Sequence, residues 1–220
     1  MVRLDIISDP VCPWCYIGKA NLDRALERHP EHPFLIEWHP FQLNPEMPKP
    51  GMPRAEYLAA KFGKADAAAI YARIDAAAEA AGLSIDWGAI ARMPNTLDAH
   101  RLIHWAGIEG RQTPMVGRIF RAYWQDGLDI GDAGVLADLA AEIGMDRALT
   151  AQLLAGDADA EDIRARDAHS RARGVTGVPT FVIAGQHVLS GAQPADLWGR
   201  VIDEIVAQLA PENGDGPAAR

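Results

Sequence analysis

Apolar residues recur along this chain in two different periods, and where each holds divides it into stretches. RLDIIS (3–8) reads as a short strand with an almost wholly apolar end, Ile6 and Ile7, broken by Asp9-Pro10. From Tyr16 the spacing lengthens: Leu22, Ala25, Leu26 and His29 fall on one face of a helix over 16–29. FLIEWHPFQL (34–43), rich in aromatic and β-branched residues, predicts a second strand with Pro40 near its end. The opening is therefore β-α-β, and the turn between the first strand and its helix is DPVCPWC (9–15).

At Asn44 the pattern changes. NPEMPKPGMP (44–53) is a stiff Pro-rich loop that cannot continue a sheet. Helical periodicity then runs through 54–62, 65–81, 96–109, 114–126, 133–143, 146–154 and 159–172, with only LSIDW (83–87) offering a brief strand. Strands return at VPTFVIAG (178–185) and QHVLSG (186–191), joined as a hairpin through Ala184-Gly185. PADLWGRVIDEIVAQLA (194–210) closes as a helix, with Pro194 in its first turn and Leu197, Val201, Ile205 and Leu209 along one face. The order β-α-β, helices, β-β-α predicts an α/β protein: a thioredoxin-like fold with a large all-α domain inserted between its β-α-β and β-β-α halves. The boundaries expected are 1–45 and 173–211 for the thioredoxin-like domain, 46–172 for the helical insertion and 212–220 for a flexible polar tail.

Composition narrows the function. With 49% apolar and 23% charged residues the chain is ordinary globular material. A net charge of −9 and the lack of any dense Lys/Arg cluster argue against a nucleic-acid partner or an anionic membrane surface. No apolar run approaches a membrane span, and Asp5 and Asp9 interrupt the N-terminus before a signal-length stretch develops, so a cytoplasmic location is expected. In a reducing compartment a single cysteine pair is a poor structural staple.

That pair is Cys12 and Cys15. A cysteine at a helix start meets unpaired amides and the positive end of the helix dipole, both of which favour thiolate, the attacking species. Pro13 suits the first helical turn because its missing N–H has no partner there. Cys12 is then expected exposed at the helix start, with Cys15 one turn inside, close enough to resolve a mixed disulfide. Two blander readings compete. Half of a zinc site needs two further ligands, and no matching His, Cys or acid spacing accompanies the pair, so no metal is expected. Two inert buried thiols remain the other alternative. Trp14, between the cysteines, is expected in a short solvent-facing loop where it contacts a partner. Asp5 and Asp9 are candidate proton acceptors for Cys15, although Asp9 also suits a turn or cap.

Thiol exchange also needs a surface that holds an extended substrate beside the sulfurs. GVTGVPTFV (174–182) supplies one candidate: a Val178-Pro179 bond before a strand, whose isomer the residues alone leave open. In cis it turns the Val178 backbone outward as a pairing edge and packs Pro179 over the sulfurs.

Together these motifs, with WHPFQLNPEMP (38–48) and PNTLDAHRLIHWA (94–106), resemble the DsbA-like thioredoxin superfamily, and more closely its FrnE-like cytoplasmic branch, over about residues 1–210. The resemblance implies thiol–disulfide exchange with Cys12 as nucleophile, Cys15 as resolving thiol and Pro179 in cis. It adds Asn95 and His100 to Trp14 and Val178 as candidate substrate contacts. It further implies protein or small-molecule thiols and disulfides as partners, no resident cofactor and glutathione as a candidate redox partner. The neutral indole of Trp14 suggests a less oxidising couple than the strongest oxidants of the superfamily. Some members of the branch carry a second cysteine pair, which this chain lacks. The same architecture also resembles kappa-class glutathione transferases and 2-hydroxychromene-2-carboxylate isomerases, in which a serine typically takes the place of the first cysteine. A glutathione-dependent transferase or isomerase of small aromatic or polyketide-like molecules is therefore the alternative. His100 and His104 share helical spacing without the acid of an HExxH motif and are expected partly exposed. Trp38, Phe41 and Leu43 suit either a groove or the core, and the apolar loop around Trp14 leaves room for a homodimer.

Overall fold

The computed structural model describes residues 1–62 and 67–209. The expected polar tail and the ends of two expected helices lie outside them. Strand β1 (Val2–Ser8) leads into α1 (Pro13–Arg28) and β2 (Phe34–Pro40). A two-residue strand, β3 (Met52–Pro53), precedes α2 (Arg54–Phe62) and α3 (Ala67–Ala80). After β4 (Arg92–Met93) come α4 (Leu97–Ile108), α5 (Gln112–Trp124), α6 (Ala133–Glu142), α7 (Arg147–Ala155) and α8 (Ala160–Ala172). The chain closes with β5 (Thr180–Ile183), β6 (His187–Ser190) and α9 (Ala195–Leu209).

The main sheet has the order β2-β1-β5-β6. β1 and β2 run parallel, while β5 and β6 are antiparallel to their neighbours, which is the thioredoxin arrangement. Alternation along the strands sends Leu4, Ile6, Phe181 and Ile183 to one buried face, where α1 and α9 pack against each other. Fully burying each such side chain contributes about 1.5–3 kcal/mol. The opposite face carries Arg3, Asp5, Val182 and Val188 and is largely open beside β6. One continuous hydrophobic cluster joins the sheet to the helices, from Leu4 and Phe181 through Leu102 and Phe120 to Leu139, so the helical stretch and the sheet share a core.

Two local details differ from the sequence expectations. LSIDW is not a strand; the small ladder instead pairs Met52 with Met93 and Pro53 with Arg92. Both of its strands are too short to show a period, and they lie beside prolines. On α9 the buried line is Trp198 and Ile202, with Leu209 exposed, because Trp198 packs edge-on against Phe181 at 4.8 Å and rotates the helix toward that contact. The expected hairpin forms, and in it Ala184 and Gly185 both take positive φ, 53° and 71°, at the centre of a tight turn closed by the Gln186 amide donating to the Ile183 carbonyl at 3.1 Å. Glycine carries that geometry without penalty, but an alanine side chain crowds the following carbonyl. Ala184→Gly is expected to stabilise the protein by about 0.5–1 kcal/mol; equilibrium unfolding in urea measures it, and destabilisation would contradict the turn geometry.

Candidate active site

The β1–α1 turn is built by local hydrogen bonds and fixed from outside. Cys12 is the N-cap of α1 and Pro13 its first helical residue, as the sequence predicts. The Cys12 amide donates to the Asp9 carbonyl at 3.0 Å, and the Cys12 carbonyl accepts from the Cys15 and Tyr16 amides at 3.1 and 3.2 Å. From α5, the Trp124 indole donates to the Pro10 carbonyl at 3.0 Å and ties the turn to the helical stretch.

Opposite the helix start lies the Val178-Pro179 peptide bond, which is cis. Both cysteines are reduced, and the Cys12 thiol donates to the Val178 carbonyl at 3.4 Å. Cys12 is accordingly 4% exposed, not the open thiol expected from its place at a helix end. The cover comes from a segment 166 residues away, which helix-end reasoning does not contain. Gly18 makes this approach feasible: a Cβ there would lie 3.1 Å from Pro179 Cγ and 3.4 Å from both Ala192 Cα and Phe181 Cζ. Its signal in the sequence is a lone glycine inside a helical pattern.

Cys15 is 1% exposed. Burial pushes its thiol well above its ordinary pKa, and the hydrogen bond and charge of Cys12 add to the rise; the Asp9 amide opposes it, while the Asp9 carboxylate favours it. Cys15 therefore holds its proton at neutral pH until a base takes it.

Asp9 is that neighbouring base candidate, and it is completely buried. One carboxylate oxygen, Oδ2, accepts the Leu43 amide at 2.7 Å. The other, Oδ1, has no hydrogen-bond partner and faces His100 Nε2 at 3.7 Å, an atom equally unpartnered. His100 is 3% exposed, so it reaches Asp9 from behind the turn and does not face open solvent; the expectation of partly exposed histidines holds for His104, which is half-buried. The inward-facing register of α4 decides this, with Ala99, Leu102, Ile103 and Ala106 all in the core.

The remaining candidates take structural positions. Trp14 sits in the first turn of α1, not in a loop, and packs against both the main core and a smaller cluster of Ile17, Ile74, Ala78 and Ala81. Asn95 donates to the Met47 carbonyl at 2.6 Å and accepts from the Leu97 amide at 2.9 Å, tying the Pro-rich loop to the start of α4. Trp38 and Phe41 are core, and Leu43 is exposed.

A cavity of about 900 Å3 opens on the other face of the sheet, floored by Ile7, Val182 and Val188; it reaches the segment opposite Cys12 at Val178 and Pro179 and touches no residue of the β1–α1 turn. Beside it, Asp5, Glu37 and His39 bring potential ligand atoms within 4.8 Å of one another. Arg3 already pairs there with Asp5 at 2.6 Å and Glu37 at 3.2 Å, supplying the positive charge a cation would bring.

A DSBA-like thioredoxin domain model matches residues 3–202. The chain belongs to that family. It is 30% identical to a probable DsbA oxidoreductase, SCO1869 from Streptomyces coelicolor, covering all of this chain and 98% of that one with a TM-score of 0.82. The uncharacterized protein YwbO of Bacillus subtilis (strain 168) is 29% identical over 92% of this chain and 96% of its own length. The fold alone is shared with the cytosolic disulfide reductase DsbM of Pseudomonas aeruginosa (23% identity, TM-score 0.69, 94% and 99% covered). It is shared likewise with a 2-hydroxychromene-2-carboxylate isomerase (16%, TM-score 0.72, 94% and 97% covered). Among the described residues no helix is long and apolar enough to cross a membrane.

Proposed function

We propose that this DsbA-like protein is a thiol–disulfide oxidoreductase working through the Cys12–Cys15 dithiol. The observation that carries the reading is the Cys12 thiol at the N-terminus of α1, hydrogen-bonded to the Val178 carbonyl beside the cis proline, with Cys15 buried one turn behind. In the reducing direction Cys12 thiolate attacks one sulfur of a substrate disulfide; a mixed disulfide forms and the second substrate sulfur leaves as thiolate with the electron pair. Cys15 then gives its proton to Asp9, attacks Cys12 Sγ and closes the internal disulfide, releasing the first substrate sulfur as thiolate. Two electrons have passed from the cysteines to the substrate, and a thiol reductant such as glutathione restores the dithiol; oxidation of substrate dithiols is the same sequence reversed. The Val178 backbone aligns the substrate chain once the chain displaces the Cys12 contact, with Trp14 flanking it.

Protein or small-molecule disulfides are the substrate class. A structure of DsbM with GSH supports glutathione as the redox partner, and the cytosolic assignment of DsbM supports a cytoplasmic location. The isomerase shares the fold, but this chain has cysteine at the position where serine marks that group.

The test is a titration of the purified protein in glutathione buffers of graded ratio, followed by tryptophan fluorescence and thiol alkylation. A reversible two-electron transition that vanishes in Cys12→Ser is the expected result, and its midpoint separates oxidant from reductant. A protein with no transition across the accessible range is not a dithiol oxidoreductase.

A further inference from the structure

Cys15 and Asp9 are both sealed from solvent, so a proton passed between them still has to leave the protein. We propose that His100 and His104 form its exit, a two-histidine relay running from Asp9 Oδ1 along one face of α4 to the surface. This rests on the thiol–disulfide reading above.

The geometry has three parts. First, Asp9 Oδ1 and His100 Nε2 are two of the four buried side-chain polar atoms without a partner among the described residues, and they face each other at 3.7 Å. A shift of about half an ångström makes that approach a hydrogen bond. Second, His104 lies one helical turn beyond His100, on the same face. Third, both histidines border a cavity of about 10 Å3, the room one water molecule needs. Ser8, His39, Gln112 and Arg166 give its wall further polar groups, beside the apolar Trp38, Pro40, Ile103 and Ile163. Gln112 is committed to the Trp38 amide and carbonyl at 2.9 and 3.1 Å, which leaves the imidazoles as the groups able to take up and release a proton. An imidazole accepts on one nitrogen and donates from the other, so it passes a proton on without leaving its place. A carboxylate alone, walled in, only stores one.

The charged and titratable groups around His100 are Asp9 from the β1–α1 turn, with Cys15 beyond it on α1, His39 from β2, Arg166 from α8 and His104 on its own helix. α5 lends the cavity Gln112, and its Tyr123, which lies within electrostatic range of Asp9, keeps its proton because it is buried. α6 does not line the cavity. His39 Nε2 donates to Asp5 Oδ1 at 2.6 Å and offers a side branch toward the outer sheet face.

In the step served by the relay the Cys15 S–H bond breaks, its proton moves through Asp9 and His100, and the Cys15 electron pair forms the bond to Cys12 Sγ. The bond from Cys12 to the substrate breaks, and the substrate sulfur leaves as thiolate, reduced. The reverse direction returns the proton by the same route.

Dithiobis(nitrobenzoate) separates the two thiol steps in the reduced full-length protein. Attack by Cys12 releases one coloured nitrothiolate, and closure by Cys15 releases the second. In His100→Gln the second release is expected to slow by about 10²-fold at neutral pH, while the first stays within about two-fold of wild type. The deficit narrows as pH rises and hydroxide replaces the relay, a pH signature that a packing defect does not produce. His104→Gln, at a half-exposed position that tolerates change, shows the same signature to a smaller extent, about 3- to 10-fold, and decides the matter if His100→Gln does not fold. A second release with wild-type rate and pH profile in the variants, or equal slowing of both releases, overturns the relay while leaving the dithiol chemistry in place. A wild-type protein that releases no second equivalent overturns both.

Discussion

Cys12→Ser is expected to reduce disulfide turnover to background, whereas Cys15→Ser is expected to perform one attack and stop. The asymmetry follows from position. Cys12 caps α1 with its sulfur turned toward the Val178 carbonyl, the side on which a substrate chain would lie. Cys15 is enclosed, and burial first, then the Cys12 sulfur, keeps its proton in place, so it acts only on a sulfur that Cys12 has already brought to it. A serine hydroxyl at position 12 stays protonated at neutral pH and is a poor nucleophile toward sulfur, so no mixed disulfide forms. In Cys15→Ser, without added thiol, the mixed disulfide forms and accumulates, because no internal thiol displaces the substrate. Reduction of insulin by dithiothreitol reports the loss of turnover in both variants, and intact-mass measurement reports the trapped adduct in Cys15→Ser alone. Turnover retained by Cys12→Ser with glutathione and an aromatic substrate would transfer the protein to the glutathione-dependent transferase and isomerase reading.

The largest expected effect on stability lies away from the cysteines. Arg101, on α4, is 1% exposed and spends its guanidinium on four acceptors. It donates to Asp98 Oδ1 and to the carbonyls of Ala158 and Leu153, each at 2.7 Å, and to that of Gly156 at 2.9 Å. The Leu153 and Gly156 carbonyls lie at the C-terminal end of α7, where helix geometry leaves carbonyls short of donors; the Leu153 carbonyl also accepts the Gly156 amide at 3.2 Å. The group also stacks over the Trp105 ring at 5.0 Å, and that indole donates to Asp159 at 2.7 Å, holding the turn into α8. Arg101→Met keeps much of the volume but leaves the Asp98 carboxylate without its ion-pair partner and takes a donor from three half-buried or exposed carbonyls. Breaking a buried ion pair of this kind costs about 3–5 kcal/mol, a large share of the roughly 5–15 kcal/mol by which such proteins are stable. For a chain of this length the melting temperature is expected to fall by roughly 10–15 °C, measured by calorimetry or circular dichroism. Arg101→Lys recovers only part of the loss, because a single ammonium cannot span four acceptors on three segments. A wild-type melting temperature in Arg101→Met would show that the network contributes no net stability.

Elements with a strong local period were legible in the residues. The opening β-α-β, the hairpin at Ala184-Gly185 and the succession of helices between them follow from spacing alone, since each signal lies within a turn or strand of the residue it describes. The same holds for Cys12 at the N-cap with Pro13 behind it. Where the period was too short to read, as in β3 and β4, the expectation failed, and a single packed aromatic, Trp198, was enough to turn the buried face of α9.

Sequence by itself thus determined the class, the order of elements and the pair of thiols at a helix start, because backbone propensity and capping act between near neighbours. Tertiary structure alone decided that Val178 covers Cys12, that Gly18 lets Pro179 approach, that Asp9 meets His100 and that Arg101 holds the end of α7. Each of those contacts joins elements distant in the chain, and its worth depends on burial, which strengthens a charge–charge or hydrogen-bonded contact only after packing has removed the water.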